Sequence, residues 1–134
     1  MVGAEMQLKT QNKPVIAEPT ASEIRRRIRS LKSYGPSSYA SLTDAAGSYV
    51  QVAGGGVTCM VEWFNAKTGK RFRAFHDHPS PVYPDGTILS FGAGEIPMQA
   101  DEWFLYEQVS DIFIAFVTST PFPDGVRWRA APGF

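Results

Sequence analysis

The sequence has two histidines, one cysteine, no net charge and no long apolar run, and each shortage removes a class of function. Cys59 stands alone among 134 residues, so it has no partner for an intramolecular disulfide and belongs to no thiolate set for zinc. The 13 basic and 13 acidic side chains cancel. That balance argues against a nucleic-acid binder working by bulk phosphate neutralisation, and equally against an acidic mimic of DNA. No stretch approaches the ~18 apolar residues of a membrane helix, and no basic segment followed by an apolar one marks a leader near Met1. The expected compartment is therefore the cytoplasm, with no role for a membrane. Internal repeats and low-complexity tracts are also missing.

What the chain does have is enough apolar side chain, 43% of residues, for one ordinary core. A domain of this length buries roughly two thirds of its unfolded surface and needs no staples. Residues 1–19 mix Gln, Asn, Lys and two prolines without a period. They predict a loose N-terminal arm with at most one short strand near Met6 to Leu8, leaving residues 20–134 as a single domain. Thr20 and Glu23 have capping-box spacing, which starts a helix. Ile24, Ile28 and Leu31 form its apolar stripe, and Gly35-Pro36 is expected to end it. Its opposite face carries Arg25, Arg26, Arg29 and Lys32, with Arg27 at the margin. Such a cluster is most often a solvated face.

From Tyr39 to Phe75 the period changes to two, with strands expected at Tyr39 to Leu42, Tyr49 to Ala53, Val57 to Phe64 and Lys70 to Phe75. Gly54-Gly55-Gly56 reads as a flexible hairpin turn. Gly69 sits where the Asn65 to Lys70 turn needs a left-handed residue. Pairing Asn65 with Lys70 then sets Phe64 opposite Arg71, Glu62 opposite Arg73 and Met60 opposite Phe75. Under that register Cys59, Val61, Trp63, Phe72 and Ala74 share the better core face, while Met60, Glu62, Phe64, Arg71, Arg73 and Phe75 share the other. That other face is expected to be open or partly covered by a loop.

Pro79, Pro81 and Pro84 exclude regular structure between His76 and Asp85, a rigid loop that displays His78 and Tyr83. Thr87 to Phe91 reads as a strand, Gly92 and Gly94 as a bend, and Glu95 to Met98 as a connector. Trp103, Phe104 and Leu105 form a short apolar strand, and Val109, Ile112, Phe113, Phe116 and Val117 recur at helical spacing. Pro121 and Pro123 end that helix before an Asp124-Gly125 turn leads to Trp128. The expected fold class is α+β: an antiparallel sheet of five or six strands, with an N-terminal helix and a C-terminal helix, Tyr106 to Thr118, packed on one face. Trp128 closes an edge.

His76-Asp77-His78 is the one segment that suggests metal or catalytic chemistry, since residues at i and i+2 point the same way from an extended chain. A zinc site takes three or four protein ligands, and here only Asp85 and Glu95 could add weak carboxylates. The pair resembles part of the cupin pattern, whose downstream carboxylate and third histidine are missing. Cys59 with His76 would make a nucleophile and base, but a cysteine in an alternating apolar strand is usually a buried hydrophobe. The basic helix, residues 24–32, with Tyr34 and Tyr39 as stacking partners, would serve a nucleic-acid-binding or adaptor module.

Glu107-Gln108-Val109, Phe113, Phe116 and the Pro123 to Trp128 turn resemble the C-terminal end of a family of bacterial immunity proteins. These are partners of polymorphic toxins, and one inhibits a deaminase toxin acting on double-stranded DNA. Fainter likeness reaches Tyr49 to Gly54 and Val61-Glu62. The resemblance implies a non-enzymatic protein, without cofactor or bound metal, that binds a cognate toxin domain encoded beside it and occludes its active site or substrate path. Direct nucleic-acid contact is not expected. Expected toxin-binding residues are His76, Asp77, His78, Tyr83 and Asp85 on the proline loop, Glu62, Arg71 and Arg73 on the open sheet face, and Asp101 and Glu102 as a third patch. If the toxin is a nucleic-acid deaminase or nuclease, the acidic members would meet its basic substrate groove. The competing reading is a small metal-dependent or hydrolytic enzyme centred on His76 and His78.

Overall fold

The computed structural model describes residues 6–33, 35–92 and 94–131. Its strands are β1 (Gln7–Thr10), β2 (Ile16–Ala17), β3 (Tyr39–Thr43), β4 (Tyr49–Gly55), β5 (Thr58–Asn65), β6 (Lys70–Phe75), β7 (Thr87–Phe91), β8 (Gly94–Met98) and β9 (Arg127–Ala130). Two helices, α1 (Ala21–Arg29) and α2 (Tyr106–Thr118), complete the α+β arrangement. Among the described residues no helix is long and apolar enough to cross a membrane.

Seven strands, not five or six, form the main antiparallel sheet in the order β2-β1-β3-β4-β5-β6-β9, and β7-β8 is a separate hairpin. The count rises because both ends of the chain join the sheet. Leu8 pairs with Leu42 and is fully buried, which places β1 between β2 and β3 where a loose arm was expected. For the same reason α1 follows two strands and is not the first element. At the other end β9 pairs with β6 and brings Trp128 against Trp63, with ring centroids 5.5 Å apart, at the sheet edge. The β5–β6 register is the expected one where the strands pair: Asn65 opposes Lys70, Phe64 opposes Arg71 and Glu62 opposes Arg73, and the ladder stops short of the expected Met60–Phe75 pair.

Alternation along the strands separates two cores. On the inner face Leu42, Val50, Val52, Cys59, Val61 and Ala74 meet Ile24 and Ile28 of α1 and Val109, Ile112 and Phe113 of α2. Phe116 packs at its margin and is only partly buried. The capping box is present, with Thr20 Oγ1 accepting from the Glu23 N–H and Glu23 Oε1 accepting from the Thr20 N–H. Helix α1 ends at Arg29, earlier than Gly35-Pro36, because a tight turn carries Leu31 into the core without further helix.

Against Gly55, a Cβ atom would lie 2.5 Å from the Leu31 carbonyl oxygen. The triple glycine is therefore not a flexible loop: Gly54 and Gly55 belong to β4, and Gly55 admits the chain leaving α1. Glu95 to Met98, expected as a connector, lies in β8, where Ile96 and Met98 are buried. With Leu89 and Phe91 of β7 they cover Ala53 and Met60 on the outer face of the sheet. Trp103 to Leu105 is not a strand; Phe104 makes a single antiparallel bridge to Cys59, beyond the end of β6.

Candidate functional site

Pairing across β4, β5, β6 and β9 lines up Gln51, Glu62, Arg73 and Arg129 in one row of the outer face. Arg73 donates from Nη2 and Nε to Glu62 Oε2, at 2.7 and 3.0 Å, and from Nη1 to Glu102 Oε1 at 3.4 Å and to the Pro97 carbonyl at 3.3 Å. Arg129 reaches Glu102 Oε2 at 3.3 Å and Asp101 Oδ2 at 2.7 Å. Glu62 and Arg73 of the expected sheet-face patch thus form one network with the expected Asp101-Glu102 patch, and Arg71 stands outside it. Glu62 and Glu102 are 1% exposed and Arg73 is 7% exposed, so these three are covered rather than presented to a partner. Burial pushes the Glu62 carboxyl above its ordinary range, against the smaller opposing pull of Arg73. Glu62 Oε1 and Asp101 Oδ1 are buried without a hydrogen-bond partner among the described residues. The network clamps the loop before α2 and strand β9 onto the sheet.

The proline loop forms a second place of interest. A cleft of about 320 Å³ lies between His76, Asp77, His78, Trp103, Asp124 and Val126. His76 Nδ1 accepts from the His78 N–H at 3.0 Å, so its other ring nitrogen, Nε2, carries the hydrogen given to the Trp103 carbonyl. Both ring nitrogens are held by backbone, which leaves His76 no lone pair for a metal or a substrate proton. Trp103 Nε1 in turn donates to the His78 carbonyl at 3.0 Å. Asp77 pairs with Arg127 at 3.2 Å on the exposed surface. Asp85 accepts from the Ala100 N–H at 2.7 Å, and Tyr83 packs on the hairpin core. No group of three or more metal-ligating side chains is assembled among the described residues. Cys59 is fully buried and its thiol is pushed up to about 12 by burial, which deprives it of nucleophilic thiolate.

A third place is the strip of outer face that the hairpin leaves open. Tyr49 and Phe64 face each other across β4 and β5 with rings stacked at 5.2 Å. The exposed Arg71 guanidinium lies over Phe64, 5.0 Å from the ring centroid, and donates from Nε to the Tyr49 hydroxyl at 3.3 Å. The hydrogen bond to that hydroxyl raises the Arg71 guanidinium above its already high ordinary value.

The basic helix is partly tied to the protein itself. Arg25 pairs with Asp111 of α2 at 3.0 Å, Arg27 donates to the Pro14 carbonyl at 2.9 Å, and Arg29 lies 6.0 Å from the Tyr106 ring centroid. Tyr34, expected as a stacking partner for this helix, lies outside the described residues.

Sequence reasoning missed Arg127, Arg129 and Tyr49 as site residues. Alternation through Arg127-Trp128-Arg129 is the available signal, because burying Trp128 on the inner face sends both arginines outward. Comparisons with family models, with curated proteins and with solved structures find no match for this chain.

Proposed function

We propose that the chain is an immunity protein that binds a cognate bacterial toxin domain and neutralises it by occluding its active site or substrate path. The reading begins from the resemblance of Glu107 to Trp128 to such proteins. One structural observation carries it further: His76, Cys59, Glu62, Arg73 and Glu102 are committed to internal contacts. His76 is held between two backbone groups, Cys59 is buried, and Glu62, Arg73 and Glu102 close a covered ion network.

Binding needs none of those groups free. A stable heterodimer buries about 1,600 Å² in all, anchored by a few aromatic and arginine side chains held in fixed positions. Arg71, Asp77, His78 and Asp85 are exposed and Tyr83 is half-exposed. Glu62, Arg73, Asp101 and Glu102 act beneath them as the frame. The protein works in the cytoplasm of the producing cell, without cofactor, and on the toxin rather than on its substrate.

The test is protection of cells. The C-terminal domain of the product of the adjacent gene is expressed from an inducible promoter, alone and with this chain. Survival only in the presence of the chain, with the two proteins recovered together, supports the proposal. Equal killing in both strains, with the chain folded and abundant, contradicts it.

A further inference from the structure

We propose that the open strip formed by Tyr49, Phe64 and Arg71 is the docking surface, and that it receives an acidic loop of the partner protein, a carboxylate pairing with Arg71. The inference rests on the immunity reading and reverses one expectation attached to it, that the sheet face offers carboxylates to a basic groove. The carboxylate on this face, Glu62, is 1% exposed and bonded to Arg73, whereas Arg71 is exposed.

The charge at this end of the sheet is positive. Lys67 and Lys70 are exposed in and beside the turn that joins β5 to β6, and Lys9, one row further in and on the distant strand β1, adds a remoter charge on the same face. Against them stand Asp44, whose Oδ1 accepts from the Ala46 and Ser48 N–H groups at 3.0 Å, and Glu18, past the far strand β2. Arg71 is also ordered in advance. The Tyr49 hydroxyl takes its Nε–H and Phe64 supports the guanidinium plane, so little side-chain freedom remains to be lost on pairing. Neither contact engages Nη1 or Nη2, the two groups that grip a carboxylate.

A nucleic acid fits the same strip poorly. The guanidinium already covers the Phe64 ring, which removes the platform on which a base would stack. Four cations on a chain of zero net charge supply little phosphate neutralisation. A protein loop needs only one well-placed carboxylate and an apolar neighbour to pack on the partly exposed Tyr49 ring.

The experiment has two arms. In the first, the inactivated C-terminal domain encoded by the adjacent gene is titrated into the wild-type chain, Arg71→Glu, Phe64→Ala and the control Arg26→Glu on the exposed side of α1, with thermal melts confirming that each is folded. Arg71→Glu is expected to weaken binding about thirtyfold or more, as for a central anchor, and Arg26→Glu to leave it unchanged. Wild-type binding that Arg71→Glu and Phe64→Ala do not alter overturns the docking surface and leaves the immunity reading standing. No wild-type binding counts against the immunity reading itself.

In that event the second arm decides the surface alone. An acidic peptide containing a run of Asp and Glu with one flanking Leu is added to the labelled chain and followed by NMR. Shifts confined to Tyr49, Phe64, Arg71 and their strand neighbours, lost in Arg71→Glu, support the inference. Shifts elsewhere or none overturn it, as does a single-stranded oligonucleotide that moves the same resonances at lower concentration than the peptide.

Discussion

The two faces of the sheet are built from the same strands and stabilised by different physics. The inner face is apolar from Leu8 across to Ala74 and is sealed by two helices. On the outer face one row is a buried chain of charges, one patch is a small apolar core under the β7-β8 hairpin, and one strip is open. Apolar burial is non-directional and tolerates adjustment, whereas an ion network holds only while each partner stays in place. The inner face therefore makes the fold, and the outer face fixes surface groups at defined positions.

The largest effect expected belongs to the inner face. Phe113 is fully buried between α2 and the sheet, so Phe113→Ala should cost about 3–5 kcal/mol, read from chemical denaturation. Arg73→Met tests the outer face. It leaves Glu62 buried without its cation, while Glu102 keeps Arg129, and should cost about 3 kcal/mol, the low end for breaking a buried pair, because Glu62 can take up a proton. Should Arg73→Met prove nearly neutral, the distinction between the faces collapses.

Acidity sharpens the same comparison. The folded-state value for Glu62 is raised above its ordinary 4.5, so the folded protein holds this proton more tightly than the unfolded chain. The associated stability is fully present below the unfolded value and is lost as pH rises through the folded one. Glu62→Gln removes that dependence. The stability of the wild type relative to Glu62→Gln should fall as pH is raised from about 4.5, and melts across that range read it. A difference that does not change with pH contradicts the covered environment of Glu62.

Smaller effects are expected where both states meet water. Thr20→Ala removes the cap of α1 and should cost about 1 kcal/mol. Arg25→Ala breaks the pair with Asp111, whose side chains are half exposed, and should cost about 0.5 kcal/mol or less in a denaturant melt.

The faces also differ in how readily a reader of the sequence finds them. Alternation in β5 and β6, the turn glycine Gly69 and the capping residues Thr20 and Glu23 are local signals, and they placed the central hairpin, its register and the start of α1. Helix α2 was legible from Val109, Ile112 and Phe113 for the same reason. What joins residues far apart in the chain was not legible. Glu102 lies 29 positions from Arg73, and no local period announces that they meet. β1 was legible only as one short strand near Met6 to Leu8 in a loose arm, and β9 only as Trp128 closing an edge, because short strands of this kind are made by their neighbours rather than by their own propensity. His76 and His78 looked reactive in sequence because the backbone groups that occupy His76 become visible only once the loop is folded.

A chain that acts by holding another protein must bind that protein when both are pure. Isothermal titration of the wild-type chain with the inactivated C-terminal domain encoded by the adjacent gene tests it most directly. Saturable heat with one-to-one stoichiometry at moderate salt, and tight binding, is the expected result. No heat, with both proteins shown to be folded, contradicts it.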